Sequence, residues 1–221
     1  MKPYGYMFLF AATIFTTNST RAADAVEIGY DMVSSNSLNL IEHTNSFKNA
    51  FSSAGDGFQK YQRGVSPTIP FSVLDDSLSI FPSDSLGIVD ETNIYEFFGV
   101  TDTINGDNSD PVVASWTFDI NGETDLAVSI DMGAMGDFES NDYFIWTTSI
   151  DGGAEQVVFS TLTDEAGSKT YTLSGGTSFT LSDPLTIDGV LLSNALQTFI
   201  APITGTGSTL TLTLEANTDG G

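Results

Sequence analysis

The sequence predicts an all-β chain, an antiparallel β-sandwich of jelly-roll-like kind, and three observations carry that expectation. From Pro111 onward apolar and polar residues alternate in one segment after another, the period-two pattern of half-buried strands. These segments recur roughly every ten residues, which is the cadence of a sandwich or barrel. Asn-Gly and Asp-Gly pairs fall between them, as tight hairpin turns require. No segment in that half offers a convincing amphipathic helix.

Taken in chain order, "MKPYGYMFLFAATIFTTNSTRAADA" joins a basic Lys2, an apolar run from Met7 to Phe15 and small residues around Ala22. That is the layout of a secretory signal peptide over 1–22, with cleavage after Ala22 or Ala23. The run is short for a bilayer-spanning helix, and no later segment replaces it, so the mature chain is expected to lack a membrane span. Residues 23–221 then read as one sandwich domain, less regular over about 23–75. There "AVEIGYDMV" suits a strand, "SLNLIEHTNSFKNAFSS" a short helix or a loop, and "TIPFSVLDD" and "LGIVD" strands, with Asp75-Asp76 in a loop.

In "PVVASWTFDI" Val112, Ala114, Trp116, Phe118 and Ile120 face a core, and Asn121-Gly122 turns the chain. "DLAVSIDM" repeats the scheme with Leu126, Val128, Ile130 and Met132, and "YFIWTTSI" points Phe144, Trp146 and Ile150 inward before the turn at Asp151-Gly152-Gly153. "QVVFSTLT", "KTYTLSGG", "TSFTLSD" and "LQTFIAPI" continue the series, punctuated by Ser174-Gly175-Gly176 and Asp188-Gly189. "STLTLTLEA" is the cleanest strand, with Leu210, Leu212 and Leu214 on one face. The text stops at "LEANTDGG", a strand followed by an unfinished turn, so the sandwich is expected to lack its last C-terminal strand.

Composition narrows the function classes. The chain has 221 residues, 29 acidic against 6 basic, for a net charge of −23; loss of Lys2 and Arg21 with a leader takes it to −25. Such a surface repels phosphate backbones and attracts divalent cations, which disfavours direct nucleic-acid binding. No cysteine is present, which rules out disulfides and thiolate metal sites.

Several long phrases carry a resemblance: "FSSAGDGFQKYQRGVSPTIPFSVLDDS", "FPSDSLGIVD", "EFFGVTDTINGDN", "ASWTFDI", "SIDMGAMGDFESNDYFIW", "SIDGG", "SDPLTIDG" and "LQTFIAPITGTGSTLTLTLEANTDGG". Over residues 51–221 the chain resembles a β-sandwich accessory module of large secreted bacterial proteins. That module lies beside extracellular endonuclease/exonuclease/phosphatase-type and lamin-tail-like domains. The resemblance implies a jelly-roll-like surface module and brings no activity; the neighbouring nuclease's residues are not carried over.

Calcium is the first candidate ligand. Ca²⁺ takes six to eight oxygens from carboxylates, amides and carbonyls wrapped by a flexible loop. "DMGAMGDFESND" offers Asp131, Asp137, Glu139 and Asp142 between two strands, and "DTINGDNSD" offers Asp102, Asn105, Asp107 and Asp110 around Gly106. The second has EF-hand composition without its spacing or its final Glu. Against both stands the habit of Asp and Asn of capping their own turns.

Other chemistry is weaker. Glu91, Glu96 and Glu123 lie in apparent loops, whereas a jelly-roll glycosidase sets its two carboxyls on strands of a concave face, across a substrate cleft. His43 is the one imidazole and reads as a solvated loop residue, with no Gly-x-Ser-x-Gly elbow beside it. Tyr95, Phe97, Phe98, Tyr143 and Trp146 would suit a sugar platform, but large aromatics dominate sandwich cores. The expectation is therefore a secreted or cell-surface, noncatalytic structural or binding module, stabilised by calcium. Its expected partner is an extracellular polysaccharide or another matrix component; a carbohydrate-binding module and a hydrolase of unrecognised type are the alternatives.

Overall fold

The computed structural model describes residues 12–16, 26–32, 36–53, 55–65, 94–173 and 176–219. Strands there are β1 (Ala12–Thr16), β2 (Val26–Asp31), β3 (Leu40–Asn45), β4 (Gly57–Gln62), β5 (Glu96–Thr101), β6 (Val112–Asp119), β7 (Leu126–Met132) and β8 (Tyr143–Ile150). They continue with β9 (Gln156–Thr163), β10 (Ser168–Thr172), β11 (Ser178–Ser182), β12 (Leu185–Ile187), β13 (Val190–Leu191), β14 (Gln197–Pro202) and β15 (Thr209–Asn217). No helix occurs among the described residues, so none there crosses a membrane.

Two antiparallel sheets make the sandwich. One has seven strands in the order β13-β12-β9-β8-β15-β6-β3; the other has four, β14-β7-β1-β2. The pairs β4–β5 and β10–β11 form separate two-stranded ribbons. Every paired strand runs antiparallel to its neighbour.

The period-two faces meet as the alternation requires. Val112, Ala114, Trp116 and Phe118 of β6, Leu210, Leu212 and Leu214 of β15 and Phe144 and Trp146 of β8 are buried in one core with Val128, Ile130 and Met132 of β7. Burying a large apolar side chain contributes about 1.5 to 3 kcal/mol, so this interleaved layer holds the sheets together. Ile150 only packs partly against it.

The turns follow the sequence signals. Asn121-Gly122, Asp151-Gly152 and Asp188-Gly189 all have positive φ at both residues, the mirror-image hairpin turn whose twist matches the flanking strands.

Two differences from the sequence reading matter. The "SLNLIEHTNSFKNAFSS" segment, expected as helix or loop, is in part β3, an edge strand paired with β6, followed by a turn at 46–49. Pairing with β6 satisfies its backbone, and Ile41 and Thr44 suit a pleated surface. The ribbon β4–β5 joins residues 57–62 to 96–101, a pairing that no local turn signal announces. "TIPFSVLDD", "LGIVD", Asp75-Asp76 and Glu91 lie outside the described residues. Within the span read as a leader, Ala12–Thr16 stands as β1 between β7 and β2.

Candidate metal centre

The centre is set by one register. β8 and β15 are antiparallel neighbours, and Tyr143 pairs with Asn217. The residues just before β8 and just after β15 therefore share one end of the sandwich. Those residues are Asp142 and Asp219, 77 positions apart in the chain.

The 139–142 turn is closed by Asp142 N donating to Glu139 O at 2.9 Å, while Glu139 N donates to Asp142 Oδ2 at 3.1 Å. Asp219 N donates to Asp142 Oδ1 at 3.1 Å. Asp219 is held further by Asn141 Nδ2, which donates to its Oδ2 at 2.8 Å, and by a parallel bridge to Ile104. Next to it Thr103 and Thr218 exchange hydrogen bonds through backbone and hydroxyl groups. Thr163 Oγ1 donates to Glu139 O at 2.9 Å, tying the loop to β9.

The result is three carboxylates, Glu139, Asp142 and Asp219, each offering an oxygen within 4.8 Å of the others. Calcium sits 2.3–2.6 Å from its ligands, so oxygens of one coordination sphere lie within about 5 Å of each other. The donor set is all oxygen, which suits a hard cation. Asp142 is almost fully buried. Burial pushes its carboxyl up to about 8, the charges of Glu139 and Asp219 add to that, and the two backbone N–H bonds oppose it.

Of the first predicted set, Glu139 and Asp142 join this cluster and Asp131 and Asp137 do not. Asp131 Oδ1 accepts from Thr198 Oγ1 at 2.6 Å across the β7–β14 pair, on the other sheet. Asp137 lies near Tyr171, whose hydroxyl it helps to hold protonated behind the larger effect of burial.

The second set builds a self-capped loop. Asn105 Nδ2 donates to Asp102 O at 2.6 Å and to Asp56 Oδ2 at 3.1 Å, and its Oδ1 accepts from Asp107 N. Asp107 Oδ2 accepts from Ser52 N at 2.6 Å and Ser52 Oγ at 2.8 Å, bonds that hold its carboxyl below the usual range. Asp110 gives its backbone carbonyl to Asn108 Nδ2 at 2.5 Å. Asn105 and Asn108 thus cap the turn with their side chains, Asp107 ties it to Ser52, and Asp102 and Asp110 contribute backbone carbonyls.

The residue missed by sequence reasoning is Asp219. Its tail, "LEANTDGG", carries no feature beyond an ordinary turn; only the β8–β15 register brings it to Asp142.

A second polar group is buried away from this end. Asp31 accepts from Trp116 Nε1 at 3.0 Å and pairs with Lys60. His43, expected as a solvated loop residue, lies on β3, stacked on Trp116 with ring centroids 4.7 Å apart. Its Nδ1 meets Ser115 O at 3.1 Å. Burial, then the Lys60 charge, lowers its pKa.

The aromatic set does not form a platform: Phe97, Phe98 and Trp146 are buried, and the Tyr143 hydroxyl donates to Glu215 at 2.8 Å. Tyr95 is exposed. Glu96 lies on β5.

Comparison with family models, with curated proteins and with solved structures finds no match.

Proposed function

We propose that this chain is a noncatalytic structural or binding module, exported to the cell exterior or surface, in which a calcium ion held by Glu139, Asp142 and Asp219 clamps one end of the sandwich. One observation carries the reading: three carboxylate oxygens lie within 4.8 Å of one another, in a chain of net charge −23. Without a counter-charge, burial and then the charges of Glu139 and Asp219 push the Asp142 carboxyl up to about 8; a divalent ion would displace that proton and tie the β7–β8 loop to the end of β15. Its role is mechanical, because an ion that binds only the folded state stabilises that state. The leader-like residues 1–22 and the accessory-module resemblance over residues 51–221 support the extracellular assignment.

The test is a thermal melt of the full chain in EGTA and again in millimolar CaCl₂. At 100 times Kd the gain is about 2.7 kcal/mol, which for a domain of this size raises the midpoint by roughly 5 to 10 °C. Asp219→Asn removes most of that rise. A midpoint indifferent to calcium would sink the clamp.

A further inference from the structure

The seat of β1 is the feature with the most to say beyond the clamp. β1 is antiparallel to β7 and to β2, so β7 and β2 run parallel to each other. Any strand between them must oppose both. Ala12 and Ile14 are fully buried in the core. Their ladder neighbours differ: Ala12 lies between Ile130 and Asp31, and Ile14 between Val128 and Gly29. The first position is crowded by two long side chains and takes a small residue. The second faces Gly29, where the Phe118 ring closes the space a side chain would take, with its edge 3.1 Å from a Cβ built there; the position holds the branched Ile14 fully buried.

All five β1 residues, Ala12–Thr16, fall inside the leader-like segment 1–22, and the first four lie in its apolar run. If the leader is removed after Ala22 or Ala23, β7 loses its ladder on that side and the core loses Ala12 and Ile14. At most Ala23, Asp24 and Ala25 then remain ahead of β2. Refilling the seat from there needs five strand residues and at least about two more for a hairpin turn, so the retained stub is too short.

We propose that the seat between β7 and β2 is an acceptor groove for a β-strand supplied in trans by a partner protein. The partner's strand carries a small residue and, two positions on, a β-branched apolar residue facing inward, with no acidic side chain. Backbone hydrogen bonds to β7 and β2 give affinity, and the two inward positions give specificity, as in strand addition generally. The absence of acidic residues follows from the −25 charge left after leader removal. This inference rests on the export reading above, because only leader removal vacates the seat.

The experiment uses the full chain with a protease site inserted between Thr16 and Val26, cut after folding. The probe is a fluorescent synthetic peptide of residues 10–18. The cut chain is expected to exchange its N-terminal fragment for the peptide, read as a rise in anisotropy. Ala12→Leu or Ile14→Asp in the peptide weakens binding at least about tenfold, since one overfills the crowded position and the other buries a charge. The uncut Ile14→Asp chain, whose own strand fits poorly, is expected to take up wild-type peptide where the uncut wild type does not. No uptake by either chain overturns the proposal, as does binding indifferent to the two changes. Self-association that the peptide does not reverse also overturns it, by making a second copy the occupant. Export is scored separately, by fusing residues 1–25 to a reporter and sequencing the processed N-terminus. An unprocessed N-terminus sinks the extracellular reading and the groove with it, because the seat then stays filled by β1; processing without peptide uptake sinks the groove alone.

Discussion

At the scale of single residues, the most exposed dependency is Asp31. It is buried, it satisfies Trp116 Nε1, and it balances Lys60, which keeps partial contact with water. Asp31→Ala strands both partners and is expected to cost about 2 to 4 kcal/mol in urea unfolding. Asp31→Asn keeps an acceptor for the indole and loses less, roughly half as much. A loss under about 0.5 kcal/mol for the alanine variant would mean that water replaces the carboxylate. His43 supplies a pH signature. Its folded pKa lies below its unfolded value of 6.5, for reasons of burial first and of Lys60 second. The neutral ring is therefore favoured in the fold, and this contribution is fully present above pH 6.5 and lost as pH falls through the folded value. His43→Phe keeps the stack on Trp116 and removes the proton, so the variant is expected to lose less stability than wild type between about pH 7 and pH 5. Parallel curves for the two proteins would refute the assignment.

At the scale of elements, three turns offer a clean comparison. Gly122, Gly152 and Gly189 have positive φ, and a Cβ added at any of them meets nothing within 4 Å. Alanine there pays only the left-handed backbone penalty and should destabilise by about 1 to 2 kcal/mol at each site. Gly106 is equally open but lacks positive φ, so Gly106→Ala should stay within about 0.5 kcal/mol of wild type. Equal losses at all four positions would remove the turn geometry as the cause. These elements were readable because alternation and turn chemistry are local: β6, β7, β8 and β15 and their Asn-Gly and Asp-Gly turns announce themselves within ten residues or so. The candidate centre was readable only in part. Glu139 and Asp142 lie in one loop with a visible acidic cluster, whereas Asp219 joins them through the pairing of β8 with β15, which alternation does not encode. β3 was obscured for a related reason: an edge strand with one buried neighbour shows little periodicity of its own, and its partner β6 lies 71 residues away at the Thr44–Ser115 contact.

At the scale of the whole molecule, charge governs the response to solvent. With 29 acidic and 6 basic residues, the folded chain repels itself, and salt relieves that over a Debye length of roughly 10 Å at 0.1 M. Raising NaCl from about 10 to about 150 mM is expected to raise the melting midpoint. The increase should survive Asp142→Asn combined with Asp219→Asn, while the calcium increment should not. A double variant that retains the calcium increment would show the ion acting as a general screen. The order of the large sheet has a temporal consequence as well. β15 lies between β8 and β6, so a nascent chain that has reached residue 208 holds two long strands with nothing between them. The Thr103–Thr218 clasp likewise joins residues 115 positions apart. Such distant closures place folding of an all-β domain in the range of about milliseconds to seconds. The sandwich cannot close during most of its own synthesis, and throughout that interval the chain stays threadable.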